Sequence, residues 1–257
     1  MKNLNVSGYP LWSFEWVNNG EAVLLLHGGL SDTESFAEVM VEPLQDSFHL
    51  YAYDRAGHGR SADQPGSFYF DFQRDEAIAF ITEVIKGPTH LVGYSDGANI
   101  ALMVAIARPD LVKSIVSIAA NFNADGIVEL PEFDPAGISD EYRAEYAEMS
   151  PDAPETLDIK IAKMHEIWKV EPDIDVADIA QISVPTLVMA GDDDVVKHSH
   201  SIELYEAIPL GQLAIVPGAS HGLVKEKPGL VTAIIKSFLT DQSYPITRQP
   251  IRRTNPA

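Results

Sequence analysis

The chain has no cysteine. That excludes a disulfide framework, a thiol nucleophile and a thiolate-held metal. It is also short of bases: 18 Lys and Arg stand against 38 Asp and Glu, a formal net charge of −20. So acidic a chain does not suit the phosphates of nucleic acid or an anionic membrane surface. No hydrophobic run reaches the length of a membrane span, and residues 1–11 hold no apolar stretch of signal-peptide length. Internal repeats and low-complexity runs are lacking as well. These absences predict a soluble, cytoplasmic protein that binds neither nucleic acid nor membrane.

What is present is ordinary for a globular chain, with 46% hydrophobic and 22% charged residues over a length of 257. That length suits one large domain, or a domain with an insertion, burying about 75% of the unfolded chain's surface. Apolar runs of strand length alternate with helical patterns. Strands are expected at two places between Leu4 and Val17, broken at Ser7-Gly8 and Pro10, then at Ala22–Leu26, His49–Tyr53, Leu91–Val92, Val112–Ala119, Pro185–Ala190 and Leu213–Val216. Helices are expected from Ser31 or Asp32 to about Leu44, over Asp71–Lys86 with Gly87-Pro88 as the stop, after Ser95, at Ser199–Ile208 and over Lys227–Leu239. This alternation predicts an α/β fold with a mostly parallel central sheet and helices on both faces. From Phe122 to about Ile182 the pattern changes. Prolines 131, 135, 151, 154 and 172 break it, helical stretches fit Ser139–Met149 and Pro154–Val170, and the only bases are Arg143, Lys160, Lys163 and Lys169 among many acids. The reading is a core of residues 1–121 and 183–240, a helical insertion at 122–182, and a surface or disordered tail at 241–257.

The most informative stretch is Gly93-Tyr94-Ser95-Asp96-Gly97, between an apolar strand and a buried helix. A serine there sits on a sharp, strained strand-to-helix turn. Glycines two residues to either side remove the Cβ atoms that would clash. The turn exposes Oγ and aims the Asp96 amide at the point where an oxyanion would form. A serine hydroxyl needs a base and an orienting acid. Ligands of parallel sheets gather beyond the carboxyl ends of the strands, and those ends carry His27-Gly28-Gly29, Ser95, the aspartates 192, 193 and 194, and His221. Among the eight histidines, His27 reads as a brace of its glycine loop and His58 as a structural hydrogen-bonding residue. His198 and His200 read as surface residues rather than metal ligands. His221, reached through the small residues Gly218, Ala219 and Ser220, is the base candidate, carried toward Ser95 on a flexible loop. Nothing in the pattern calls for a metal or a cofactor.

The order Ser, Asp, His, with HGG after an early strand, the Asp54–Ser61 loop, GYSDG, GDDD and PGASH, resembles the α/β-hydrolase superfamily over roughly Leu4–Leu239. The likeness is to its capped serine esterase and haloperoxidase-like branches. Asp96 after the nucleophile also resembles valacyclovir-hydrolase-like enzymes. The resemblance implies an α/β-hydrolase fold with a small helical cap, and Ser95, Asp194 and His221 as the catalytic triad. Asp194 is chosen over Asp192 and Asp193 by the family's Gly-x-x-Asp pattern. It also implies an oxyanion hole from the amides of Gly29 and Asp96, with Leu30 the runner-up for Gly29. A cap overhangs the pocket in this superfamily, so Leu30, Phe122, Met164 and Trp168, with Phe133, are the substrate-binding candidates. Serine at position 95 argues against the dehalogenase and epoxide hydrolase branches. HGGLSD lacks the longer glycine run of carbon–carbon bond hydrolases.

The implied activity is hydrolysis of small carboxylic esters through an acyl-enzyme. Lactonase, amidase, perhydrolase and acyl transferase chemistry share the triad, and a ligand receptor on this fold is the reading from another class. The acidic cap predicts poor turnover of anionic half-esters. The Asp96 carboxylate needs a partner, either a protein group or a substrate amine.

Overall fold

Continuous apolar runs become central strands. The computed structural model describes residues 1–129, 132 and 134–241. Its strands are β1 (Lys2–Val6), β2 (Tyr9–Trp16), β3 (Ala22–Leu26), β4 (His49–Tyr53), β5 (Thr89–Tyr94), β6 (Val112–Ile118), β7 (Thr186–Asp193) and β8 (Gly211–Ser220). They form one eight-stranded sheet in the order β1-β2-β4-β3-β5-β6-β7-β8. The β1–β2 and β2–β4 pairs are antiparallel and every other pair is parallel. The helices are α1 (Thr33–Leu44), α2 (Phe70–Phe80), α3 (Asp96–Ala107), α4 (Asp140–Met149), α5 (Thr156–Trp168), α6 (Val176–Ile179), α7 (His198–Ala207), α8 (Leu223–Glu226) and α9 (Pro228–Thr240).

Side chains of successive strand residues point to opposite faces, so each central strand feeds two cores. Leu24, Leu26 and Leu91 pack with Phe80 of α2, Ile100 and Leu102 of α3 and Leu204 of α7. Val23, Leu25, Val92 and Val116 pack on the other face with Phe36 and Met40 of α1, Leu223 of α8 and Ile235 of α9. This is the expected α/β sheet covered on both sides.

Three local expectations change. Pro10 lies inside β2 rather than breaking it. It pairs with Asn5 of β1, and β4 joins β2 only from Ser13, so its missing N–H costs no bond to β4. The second helix passes into a π-helical turn at Ile81–Ile85, and Lys86, at φ 63, takes the left-handed position expected of Gly87. Finally, β8 continues through Pro217–Ser220, pairing Val216 with Gly191 and Ser220 with Asp193 across a bulge. His221 is therefore held at the end of a paired strand, not on a flexible loop.

Between β6 and β7 the described residues contain α4, α5 and α6 and no strand. Polar contacts tie this insertion to the loops at the strand ends. The Tyr142 hydroxyl donates to the Leu30 carbonyl at 2.7 Å. Lys160 donates to the Gly57 carbonyl at 3.1 Å and to Asp152 at 2.6 Å, and Asp152 accepts the Asp63 amide at 2.9 Å. Glu171 accepts the Phe70 amide at 2.9 Å. Phe133, and the expected tail from residue 242 onward, lie outside the described residues.

Candidate active site

The turn after β5 is the steric centre. Ser95 has φ 53 and ψ −120, a left-handed conformation that strains a serine. Backbone bonds hold it there: its amide donates to the Ile118 carbonyl at 2.8 Å, and its carbonyl accepts the Ala98 amide at 2.8 Å. A Cβ on Gly93 would lie 2.2 Å from the Gly97 carbonyl oxygen, and one on Gly97 would lie 2.2 Å from the Leu26 carbonyl oxygen. Only glycine fits at either position, which is why GxSxG surrounds the turn.

Ser95, His221 and Asp194 meet. Ser95 Oγ is 3.1 Å from His221 Nε2, and His221 Nδ1 is 2.7 Å from Asp194 Oδ1. A carboxylate only accepts, so Nδ1 carries the proton and Nε2 is left to accept from the serine hydroxyl. The Asp194 side chain is 0% exposed and the His221 side chain 30%, so the acid is shielded while the base remains reachable. Burial pushes the Asp194 pKa up. The His221 contact and the Val196 and Gly191 amides outweigh it and hold the carboxyl below its ordinary range. Asp192 is turned to another task, accepting the Ala219 amide at 3.0 Å across β7 and β8. Asp193 is exposed. Tyr94, which sequence reasoning did not single out, donates its hydroxyl to the His221 carbonyl at 2.8 Å. Burial and the Asp194 charge push its pKa to about 12, so it remains a donor.

The glycine loop after β3 packs against this turn. A Cβ on Gly28 would touch Ser95 Cβ at 3.5 Å, whereas one on Gly29 would lie 2.1 Å from Asp96 Oδ2 and 2.7 Å from the Trp168 ring. Asp96 opens α3, so its amide is one that the helix leaves without an internal acceptor. Leu30, at φ 49, is half-buried beside Gly29. Gly29→Ala should therefore push the loop off Asp96 and Trp168 and lose about 10²–10³-fold in kcat, the cost of displacing one oxyanion donor, in a variant whose far-UV circular dichroism matches the wild type. Steady-state kinetics on an aryl ester checks this, and near wild-type turnover would remove Gly29 from the hole.

The Asp96 carboxylate has a protein partner. The Trp168 indole N–H donates to its two oxygens at 3.1 and 3.2 Å. Burial pushes the Asp96 pKa up, against the pull of the Arg55 charge and the Trp168 bond. Of the two expected alternatives, the protein donor is the one in place, so a substrate amine is not needed to satisfy this group. The other apolar candidates divide. Trp168 is half-buried and also walls a cleft of about 490 Å³ with Ile127, Val128 and His165. Met164 is 0% and Phe122 1% exposed, so neither presents surface to a ligand. Both belong to the hydrophobic core, and Phe122 also stacks on His200 at 3.7 Å. An apolar helix position has the same sequence signature in a core as in a pocket.

The remaining histidines have structural partners. His27 Nε2 accepts the Arg55 amide at 3.2 Å while Nδ1 donates to the Gly28 carbonyl at 2.8 Å, the expected bracing role. Burial and the Arg55 charge push its pKa well down, keeping it neutral. His200 is buried rather than on the surface, and its Nε2 accepts the Phe122 amide at 3.0 Å. His198 Nε2 lies 3.1 Å from the Gly191 carbonyl oxygen. Among the described residues no group of three or more His, Cys, Asp or Glu is placed to hold a metal ion.

In α2, buried Glu76 accepts the Tyr9 hydroxyl at 3.1 Å and the Ala56 amide at 3.2 Å. Burial raises its pKa from 4.5 to about 7. Between these values the folded chain keeps a proton that the unfolded chain releases. Stability therefore falls as pH climbs through that window, by on the order of 3 kcal/mol. The melting temperature of the wild type should drop more between pH 5 and pH 8 than that of Glu76→Gln. Parallel drops would show that Glu76 does not titrate there.

Comparison with known proteins fits this geometry. Residues 23–234 match the Alpha/beta hydrolase family. A putative carbamate hydrolase, RutD, of Agrobacterium fabrum is 24% identical over 241 residues, covering 84% of this chain and 92% of that protein. A 2-(acetamidomethylene)succinate hydrolase of Mesorhizobium japonicum is 33% identical over 100 residues, which is 39% of this chain and 36% of that protein. Among solved structures, the meta-cleavage product hydrolase CumD of Pseudomonas fluorescens IP01 superposes with a TM-score of 0.80 at 19% identity, covering 95% of this chain and 98% of that one. That last likeness is one of fold. With the sheet, the elbow and the family match together, the chain belongs to the alpha/beta hydrolase family.

Proposed function

We propose that the chain hydrolyses carboxylic ester bonds of small substrates through an acyl-enzyme on Ser95. The observation that carries this is the hydrogen-bonded line from Ser95 Oγ at 3.1 Å to His221 and from His221 at 2.7 Å to Asp194. Ser95 Oγ attacks the ester carbonyl carbon while His221 Nε2 takes its proton. The carbonyl oxygen becomes an oxyanion facing the amides of Gly29 and Asp96. Collapse breaks the ester C–O bond, and the leaving alkoxide takes the proton from His221. Water then enters, gives a proton to the same nitrogen and attacks the acyl carbon. Ser95 leaves with that proton and the acid is released. Asp194 keeps the imidazole in one tautomer and stabilises its cation in both halves.

The decisive measurement is turnover of a panel of aryl esters varied in acyl length and charge, with Ser95→Ala as control. The panel should include an aryl carbamate, because the relative matched over most of its length is named for carbamate hydrolysis. It should also include anionic half-esters at low and high salt, since the acidic insertion's field is screened over about 8 Å at physiological ionic strength. Preferred turnover of the carbamate would move the assignment from C–O ester to carbamate chemistry on the same triad. A single slow turnover on every member would favour the receptor reading.

A further inference from the structure

Among the described residues Arg55 is the largest fully buried side chain, at 0% exposure. Burying a guanidinium is costly unless it is paired. Among the described residues, however, it forms no ion pair with a carboxylate at contact distance. Its two terminal nitrogens instead donate to backbone: Nη1 to the His27 carbonyl, and Nη2 to the Gly28 carbonyl at 2.8 Å. Burial pushes its pKa down from the usual guanidinium value, and the nearby Asp96, Tyr53, Glu76 and Asp54 groups pull it partly back. The placement follows from the sheet. Strands β3 and β4 are parallel neighbours with Leu25 beside Ala52, so the residues leaving their carboxyl ends emerge together.

The second carbonyl is the important one. The Gly28 C=O and the Gly29 N–H are the two ends of one planar, conjugated peptide group. A charged donor on the oxygen draws electron density toward it and leaves the N–H a stronger donor, since hydrogen bonds in a chain polarise one another. The fork of the guanidinium also fixes two successive peptide planes, an arrangement a point-like ammonium does not reproduce. From the other side, Gly29 is confined by the Asp96 carboxylate and the Trp168 ring, which leave no room for a Cβ.

We propose that Arg55 is a positioning residue for the oxyanion hole: its guanidinium holds and polarises the Gly28–Gly29 peptide, so that the Gly29 N–H binds the developing oxyanion more strongly. This rests on the reading that Gly29 faces that oxyanion. Arg55 touches neither substrate nor Ser95, and its effect passes through the loop.

The test compares wild type, Arg55→Met, Arg55→Lys and Arg55→Ala with an aryl ester and an arylboronic acid. The boronic acid adds to Ser95 as a tetrahedral adduct that places an oxygen where the oxyanion forms. Arg55→Met should lower kcat by about 10–100-fold, less than deleting a donor outright. KM should stay within about twofold, and boronate affinity should fall by the same factor as kcat. Arg55→Lys keeps the charge without the fork and should fall between, and it carries the comparison if Arg55→Met does not fold. Added guanidinium at non-denaturing concentration should restore part of the kcat of Arg55→Ala. Boronate affinity unchanged from wild type, or a KM that rises as much as kcat falls, overturns the proposal, since a residue serving only the fold would not act selectively on the tetrahedral state. A wild type that neither hydrolyses an ester nor binds a boronate would instead refute the esterase reading itself, so the two failures separate.

Discussion

Ser95→Ala should lower kcat on any accepted ester by about 10⁴-fold or more and leave the fold intact. The fold should survive because the elbow's shape is held by backbone: the Ser95 amide on Ile118 at 2.8 Å and the close approaches at Gly93 and Gly97. Only Oγ is lost, and with it the atom 3.1 Å from His221 Nε2. Alanine also tolerates φ 53 no better than serine does, so the strain is kept rather than relieved. A fluorophosphonate that labels the wild type should no longer do so. Labelling that persisted in Ser95→Ala would place the nucleophile elsewhere. His221→Ala should match Ser95→Ala, and the double variant should be no worse, because members of one catalytic unit do not add.

Asp194→Asn should cost about 10⁴-fold in kcat, while Asp193→Asn should cost little. An amide at 194 can offer its N–H₂ to the imidazole, which then favours the tautomer with the proton on Nε2, where the serine needs an acceptor. Turned the other way, the amide sets its N–H₂ against the Gly191 N–H instead. The carboxylate is fully shielded, and the Gly191 and Val196 amides already hold its two oxygens. Asp192→Asn is a different control, because Asp192 ties β7 to β8 through the Ala219 amide at 3.0 Å. Its loss should appear in melting temperature before it appears in turnover. Michaelis–Menten constants and thermal melts of the three variants decide the matter. A crippled Asp193→Asn with an active Asp194→Asn would reverse the roles.

How much of this was legible depends on distance along the chain. The elbow was legible because its constraints are local: strand, glycine, serine, glycine and helix lie within one short stretch, and a missing Cβ is written directly in the sequence. The central strands and their flanking helices were legible from apolar runs and helical spacing. Choosing Asp194 over its two neighbours needed a family pattern, because the register there depends on a bulge between β7 and β8 near Gly191 and Asp193. The substrate-facing side chains were not legible. Phe122, Met164 and Trp168 are all large and apolar, yet only Trp168 reaches the elbow, through an indole N–H to Asp96. Nor was Arg55, which in sequence is one of several charges in the Asp54–Ser61 loop.

By itself, then, the sequence determined the alternation of strands and helices, the glycine-flanked serine turn, and the polar side chains waiting at strand ends. Those features follow from sterics and hydrophobic periodicity acting over a few residues. The tertiary structure alone decided the partners. It set Tyr94 on the His221 carbonyl, Trp168 of α5 on Asp96, Tyr142 on the Leu30 carbonyl, and Arg55 on the carbonyls of His27 and Gly28. Each of these joins groups far apart in the chain. Each exists because a buried polar group must find a hydrogen-bond partner among whatever side chains the packed sheet and insertion bring beside it, a choice that no local pattern encodes.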